Sequence, residues 1–160
     1  MDIYISNLTE ICNKSDLLAK LTPEQCARYA SFSRQTRADQ FLLAHSIAND
    51  LEKLFKYISI SHKDDWVVVA ASNNPVGVDI ENTAKKRNFA PMARFIGADG
   101  ITTPESFYRA FTAAEAQYKM QPAIARIKQF YRLDDYMICI ASACDEISPR
   151  FIGAAPEQIQ

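Results

Sequence analysis

Asp64-Asp65-Trp66-Val67-Val68-Val69-Ala70-Ala71-Ser72 and Asp134-Asp135-Tyr136-Met137-Ile138-Cys139-Ile140-Ala141-Ser142 agree in residue class at most positions, with an offset of seventy residues. Each opens on two aspartates, passes through an aromatic residue into an apolar run, and closes on a serine. Short apolar runs bounded by polar turn residues read as strands. The same offset lays Phe41 on Phe111. A helix followed by an apolar strand therefore occurs twice, as expected if two α+β halves pack about a pseudo-twofold axis around a joint core. The expected fold class is α+β: one domain over 1–160, made of two pseudo-symmetric halves, about 1–73 and 74–160, each a helix packed on a small, mostly antiparallel sheet.

Working outward from the first copy, Tyr57-Ile58-Ser59-Ile60-Ser61 alternates with period two and forms a hairpin with the run from Trp66. Before it, Phe41, Ala44, Ala48, Leu51 and Phe55 recur at steps of three and four, widened by Leu43, Ile47 and Leu54, which predicts a core-facing helix from Thr36 to Lys56. Polar, helix-favouring sequence precedes Ser33, and Ile3-Tyr4-Ile5 reads as an edge strand. After the hairpin, Asn73-Asn74-Pro75 marks a turn into a third strand, Val76 to Glu81. An irregular stretch from Asn82 to Ile101 holds one short helix around Ala90 to Phe95. Thr103 before Pro104 is a good helix start, and that helix runs to about Met120, with Phe107, Phe111, Ala114 and Tyr118 drawing the buried stripe. Arg150-Phe151-Ile152 reads as a last short strand.

Composition narrows the function classes. Eighteen basic against nineteen acidic side chains leave a formal net charge of −1, so no global field draws nucleic acid or an anionic membrane. An anionic ligand must be held locally. The opening Met1 to Ser6 carries no basic leader, and nowhere are there eighteen consecutive apolar residues, so the expectation is a cytoplasmic enzyme or adaptor. Cys12, Cys26, Cys139 and Cys144 lack CxxC spacing and have only His45 and His62 as partners for a metal, which predicts buried free thiols.

Asp79 and Glu81 stand two apart in a strand and share a face at a separation of roughly 7 Å. Glu115 and Lys119 share a helix face at i,i+4. Taken singly, each pair has a bland reading, a solvated face for the first and a surface ion pair for the second. Three carboxylates converging beside Gly77, where another backbone or a ligand can come close, would instead make an all-oxygen site suited to Mg2+ and phosphate.

Val76-Gly77-Val78-Asp79-Ile80-Glu81 followed by Phe111-Thr112-Ala113-Ala114-Glu115-Ala116-Gln117-Tyr118-Lys119 resembles the paired signature of 4'-phosphopantetheinyl transferases. These enzymes carry a G-[IV]-D strand and a [WF]-[ST]-x-x-E-[AS]-x-x-K helix, separated by a few tens of residues. Ahead of these, Ile58-Ser59-Ile60-Ser61-His62 and Trp66-Val67-Val68 resemble the family's Asn-Ile-Ser-His strand and its successor, and Arg37 to Ala44 resembles its arginine-bearing helix. The resemblance spans roughly Thr22 to Ser142 and is to the surfactin-synthetase-activating type, whose two halves are pseudo-symmetric.

The resemblance implies Mg2+-dependent transfer of 4'-phosphopantetheine from coenzyme A to a serine of an apo carrier protein of acyl, polyketide or peptidyl type, releasing 3',5'-ADP. It implies Asp79, Glu81 and Glu115 as magnesium ligands, Glu115 and Lys119 as catalytic residues, and Ser61, His62, Lys119, Arg28 and Arg37 as coenzyme-binding residues. Glu115, a water on the metal or Lys119 could take the serine proton. A monomer with neither nucleic-acid nor membrane partners is expected. The sequence also departs from the family pattern: Ala114 stands where lysine usually precedes the glutamate, Lys63 where serine follows the histidine, Gln40 where an arginine is common, and Lys56 adjoins Tyr57 where relatives have a Gly-Lys-Pro segment. The alternative that these departures raise is a catalytically weakened relative that binds a carrier protein or a partner subunit.

Overall fold

The structure is a computed structural model, and it describes residues 1–85, 89–98, 101 and 103–160. The rest of the irregular stretch, at 86–88 and 99–100, lies outside the described residues. In chain order the elements are β1 (Asp2–Asn7), a 3-10 turn (Leu8–Glu10), α1 (Lys14–Leu18), α2 (Pro23–Ala30), α3 (Gln35–Leu51), β2 (Tyr57–Lys63), β3 (Trp66–Ser72) and β4 (Val76–Asn82). They continue with α4 (Phe89–Phe95), α5 (Pro104–Lys119), β5 (Ile127–Leu133), β6 (Tyr136–Ser142), β7 (Arg150–Gly153) and β8 (Glu157–Ile159).

Two four-stranded sheets result, ordered β2-β3-β1-β7 and β4-β6-β5-β8, and every pairing is antiparallel except that of β1 with β7. Period-two alternation divides each central strand between two cores. Ile3, Ile5, Val68 and Ala70 of the first sheet meet Val76, Val78, Ile80, Ile138 and Ile140 of the second. On the outer faces, Val67, Val69 and Ala71 pack under α3 with Leu43, Ala44 and Ala48, while Cys139 and Ala141 pack under α5 with Ala116 and Met120. The layers are therefore helix, sheet, sheet, helix, an α+β fold.

The seventy-residue echo persists in atomic detail. Asp64 and Asp134 both turn their hairpins at positive φ, 51° and 49°. Leu8 N donates to Asp65 O at 2.8 Å, and Thr83 N to Asp135 O at 2.7 Å. The hydroxyls of Ser72 and Ser142 each accept from the backbone N–H two residues on, at 3.2 Å. β1 and β4 occupy matching places, since Asp2 faces Ala71 as Gly77 faces Ala141. By that register Tyr4 corresponds to Asp79 and Ser6 to Glu81.

Local chemistry explains the helix starts. Thr22 and Gln25 form a reciprocal capping box around Pro23, and Thr103 Oγ1 accepts from Ser106 N ahead of Pro104. Several expectations need correction. β1 is an interior strand, because β7 returns from the far end of the chain to cover its other side. Helix α3 stops at Leu51, so Leu54 is 72% exposed. On α5 the buried face runs through Phe107, Tyr108, Thr112 and Ala116, leaving Tyr118 68% exposed. Strands β5 and β8 are additional to those expected. All four cysteines are free, but only Cys139 is buried and Cys12 is exposed. No helix among the described residues is long and apolar enough to cross a membrane.

Candidate functional site

Gly77 sets the geometry of the site. A Cβ there would lie 1.9 Å from the carbonyl oxygen of Ala116 and 2.9 Å from Met120 Cγ, so only glycine lets α5 settle this closely on β4. The backbone that approaches is the protein's own. Because alternate residues share a face, Gly77, Asp79 and Glu81 all turn from the inter-sheet core toward the α5 side. Asp79 is 6% and Glu81 8% exposed, which removes the solvated-face reading of this pair.

Buried carboxylates need partners. Lys119 Nζ lies 2.9 Å from Asp79 Oδ1 and donates to Val78 O at 2.9 Å, while Ser61 Oγ donates to the same Asp79 oxygen at 2.8 Å. Lys119 thus reaches β4 as an ion partner of Asp79. Asp79 Oδ2 is buried and has no hydrogen-bond partner among the described residues. Desolvation raises the Asp79 carboxyl above its ordinary range, Lys119 and Ser61 work against that rise, and the nearby charge of Glu115 adds to it. Glu81 is engaged by Lys63, whose Nζ sits 2.6 Å from Oε2, with both side chains largely shielded.

Ser61 does more than bond Asp79. Its hydroxyl accepts from Ile80 N at 3.3 Å, and Ser59 Oγ accepts from Val78 N at 3.0 Å. These are the β4 amides on the edge away from β6. Where a strand would normally complete the ladder, two serine side chains of β2 join the sheets.

To one side lies a cleft of about 680 Å³, lined by Arg34, Arg37, Gln40, His62, Lys63 and Lys85, with Asp64 as its acidic wall. Asp64 is already engaged, accepting from Lys85, from Asn82 Nδ2 at 2.8 Å and from Tyr136 Oη at 3.1 Å. The remaining wall is basic and suits an anion. Arg37 Nη1 stands 2.9 Å from both ring nitrogens of His62. Burial, then the Arg37 charge, push the His62 imidazole below its ordinary pKa, in keeping with an unprotonated nitrogen that accepts from the guanidinium. Arg28 stands apart from the larger cleft. It lines a neighbouring cavity of about 220 Å³ with Phe32, Phe41 and His45, which Arg37 and His62 also reach.

The structure accordingly brings Asp79, Lys119 and Ser61 into direct contact, sets Glu115 within electrostatic reach of Asp79, and puts His62 on Arg37. Among the described residues no three metal-ligating side chains form a single group. The donors that suit a hard cation are carboxylate oxygens, and Asp79 Oδ2 is the buried one still lacking a partner. Asp79, Glu115 and Glu81 could hold such an ion once Lys119 and Lys63 give way. Two features escape a reading of the sequence, the Lys63 pairing and the serine seam. The alternation of Ser59 and Ser61 on one strand face was the available signal for the seam.

No family model matches the chain. A stretch of 29 residues, 18% of the chain, is 55% identical to 4'-phosphopantetheinyl transferase gsp of Aneurinibacillus migulanus, of which it covers 12%. The chain thus spans only a small part of that relative. The likeness is confined to that short stretch, and the protein it resembles there is a 4'-phosphopantetheinyl transferase.

Proposed function

We propose that the protein transfers 4'-phosphopantetheine from coenzyme A to a serine of an acyl, polyketide or peptidyl carrier protein, with Mg2+ as cofactor. The observation that carries the reading is the Asp79 carboxylate, buried with one oxygen unpartnered, held between Lys119 and Ser61 beside a basic cleft. The short likeness to a transferase supports it. Asp79, Glu81 and Glu115 would hold the magnesium, which when bound supplies positive charge against the pyrophosphate of the coenzyme.

The chain's own residues do the rest. Arg37, His62 and Lys85 present donors to the phosphates along the cleft wall, and Arg28 extends the basic surface into the adjoining cavity. Lys119 is anchored by the Val78 carbonyl, which fixes its ammonium at the junction of strand and helix. Glu115 and Lys119 are the side chains here that can accept or move the proton of the carrier serine. In the second reading the protein binds a carrier or partner subunit with little transfer. The pairing of Asp79 and Glu81 with lysines favours it, since each lysine stands where a cation would.

Incubation with coenzyme A, Mg2+ and several apo carriers, followed by mass spectrometry of the carriers, tests both. Transfer adds the phosphopantetheine mass to a carrier and Glu115→Gln abolishes it. Carriers that bind without gaining mass favour the second reading, and a Glu115→Gln variant working at near wild-type rate sinks the mechanism.

A further inference from the structure

Lys63 faces two ways. Its ammonium is paired with Glu81 at 2.6 Å, the two side chains being 19% and 11% exposed, yet the residue also lines the basic cleft with Arg34, Arg37 and Lys85. It stands where β2 turns toward β3, one residue beyond His62, and its four-carbon stem lets the charge move without moving the strand. Two residues away along β4, Asp79 is 6% exposed, paired through Oδ1 with Lys119, and its Oδ2 has no hydrogen-bond partner among the described residues.

A lysine ammonium and a divalent cation compete for the same carboxylate lone pairs. Two positive charges gathered on Glu81 Oε2 repel each other, so the arrival of one disfavours the other. We propose that Lys63 is a resident counter-ion of Glu81 that a divalent cation displaces, and that the released ammonium then meets an anion in the adjoining cleft. The proposal rests on the metal-site reading above. Cation and anion would thereby bind cooperatively, because each removes an obstacle to the other. The metal takes the carboxylate, and the freed lysine takes the phosphate.

The test titrates the full-length, metal-free protein with Mn2+ alone, and then with inorganic pyrophosphate in the presence of Mn2+, by calorimetry. Lys63→Ala and Lys63→Gln should each bind Mn2+ about tenfold more tightly than wild type, and pyrophosphate with Mn2+ about tenfold more weakly. Lys63→Arg, which keeps the charge, should stay within about threefold of wild type in both. Circular dichroism melts confirm that the variants are folded, and the two neutral variants guard against one that is not. Unchanged or weaker Mn2+ binding in folded neutral variants overturns the proposal while leaving a metal site standing. If Mn2+ binds neither wild type nor variant, the proposal and the metal-site reading fall together. The expected Mn2+ and pyrophosphate pattern without carrier modification supports the role of Lys63 and removes the transferase reading instead.

Discussion

β1 and β4 occupy equivalent places in the repeat, yet only β4 carries residues of the candidate site. β1 has a strand on each side, β3 and β7, and at the place of Gly77 it carries Asp2, whose carboxylate pairs with Arg150. β4 has a strand on one side only, and Ser59 and Ser61 satisfy amides on the other. A ladder partner supplies backbone alone, whereas serine hydroxyls can also address a side chain, as Ser61 addresses Asp79. The incomplete sheet edge is what lets β4 hold two buried carboxylates close to charged partners. The repeat supplies the framework, and the candidate site lies where the second copy departs from it.

The largest expected effect comes from the glycine that distinguishes the strands. Gly77→Ala forces α5 away from β4 and should destabilise the fold by about 3 kcal/mol or more in urea unfolding, with loss of any carrier modification. A smaller loss than Asp2→Ala produces would break the comparison. Next comes the seam. Ser61→Ala strands the Ile80 amide and removes a donor from Asp79, for about 1–3 kcal/mol, and Ser59→Ala should cost less because it serves Val78 alone. Equal losses would show that the Ser61–Asp79 bond contributes little.

The smallest effect separates the two hairpin turns. Asp64 and Asp134 share a positive φ, and glycine relieves the strain at either, by up to roughly 1 kcal/mol. Asp64 also gathers Lys85, Asn82 and Tyr136, ties that span the two sheets. Asp134→Gly should therefore raise the melting temperature slightly and Asp64→Gly lower it. Matching shifts would mean that the Asp64 ties are worth nothing net.

Much of this fold was legible because its strands repeat. The periodicities of Tyr57–Ser61, Trp66–Ala71 and Val76–Glu81 are set by burial, and burial is what alternation records. β5 was harder, since only Tyr131 of its seven residues is buried, although the seventy-residue offset maps it onto β2. The interior place of β1 depends on Arg150–Gly153, nearly the whole chain away, and no local pattern reports such a pairing. In α5 the apolar stripe pointed to Tyr118, but the Gly77 contact turns Ala116 inward instead. The residues Asp79, Glu81, Glu115 and Lys119 stood out through family resemblance. Their partners did not, because Lys119 finds Asp79 in place of its helix neighbour Glu115, and Lys63 finds Glu81 across the seam.

Cys139 lies opposite Asp79 in the β4–β6 ladder, beneath Ala116 of α5 and Met120 just past its end, and burial pushes its thiol up to about 12. At neutral pH it is almost wholly protonated and sheltered from alkylating reagents, while Cys12 stands exposed on the same molecule. The contrast between the two thiols makes Cys139 a reporter of opening in the layer beneath α5. A labelling reagent should consume Cys12 first, and the rate at which Cys139 follows would report how often the protein opens around it.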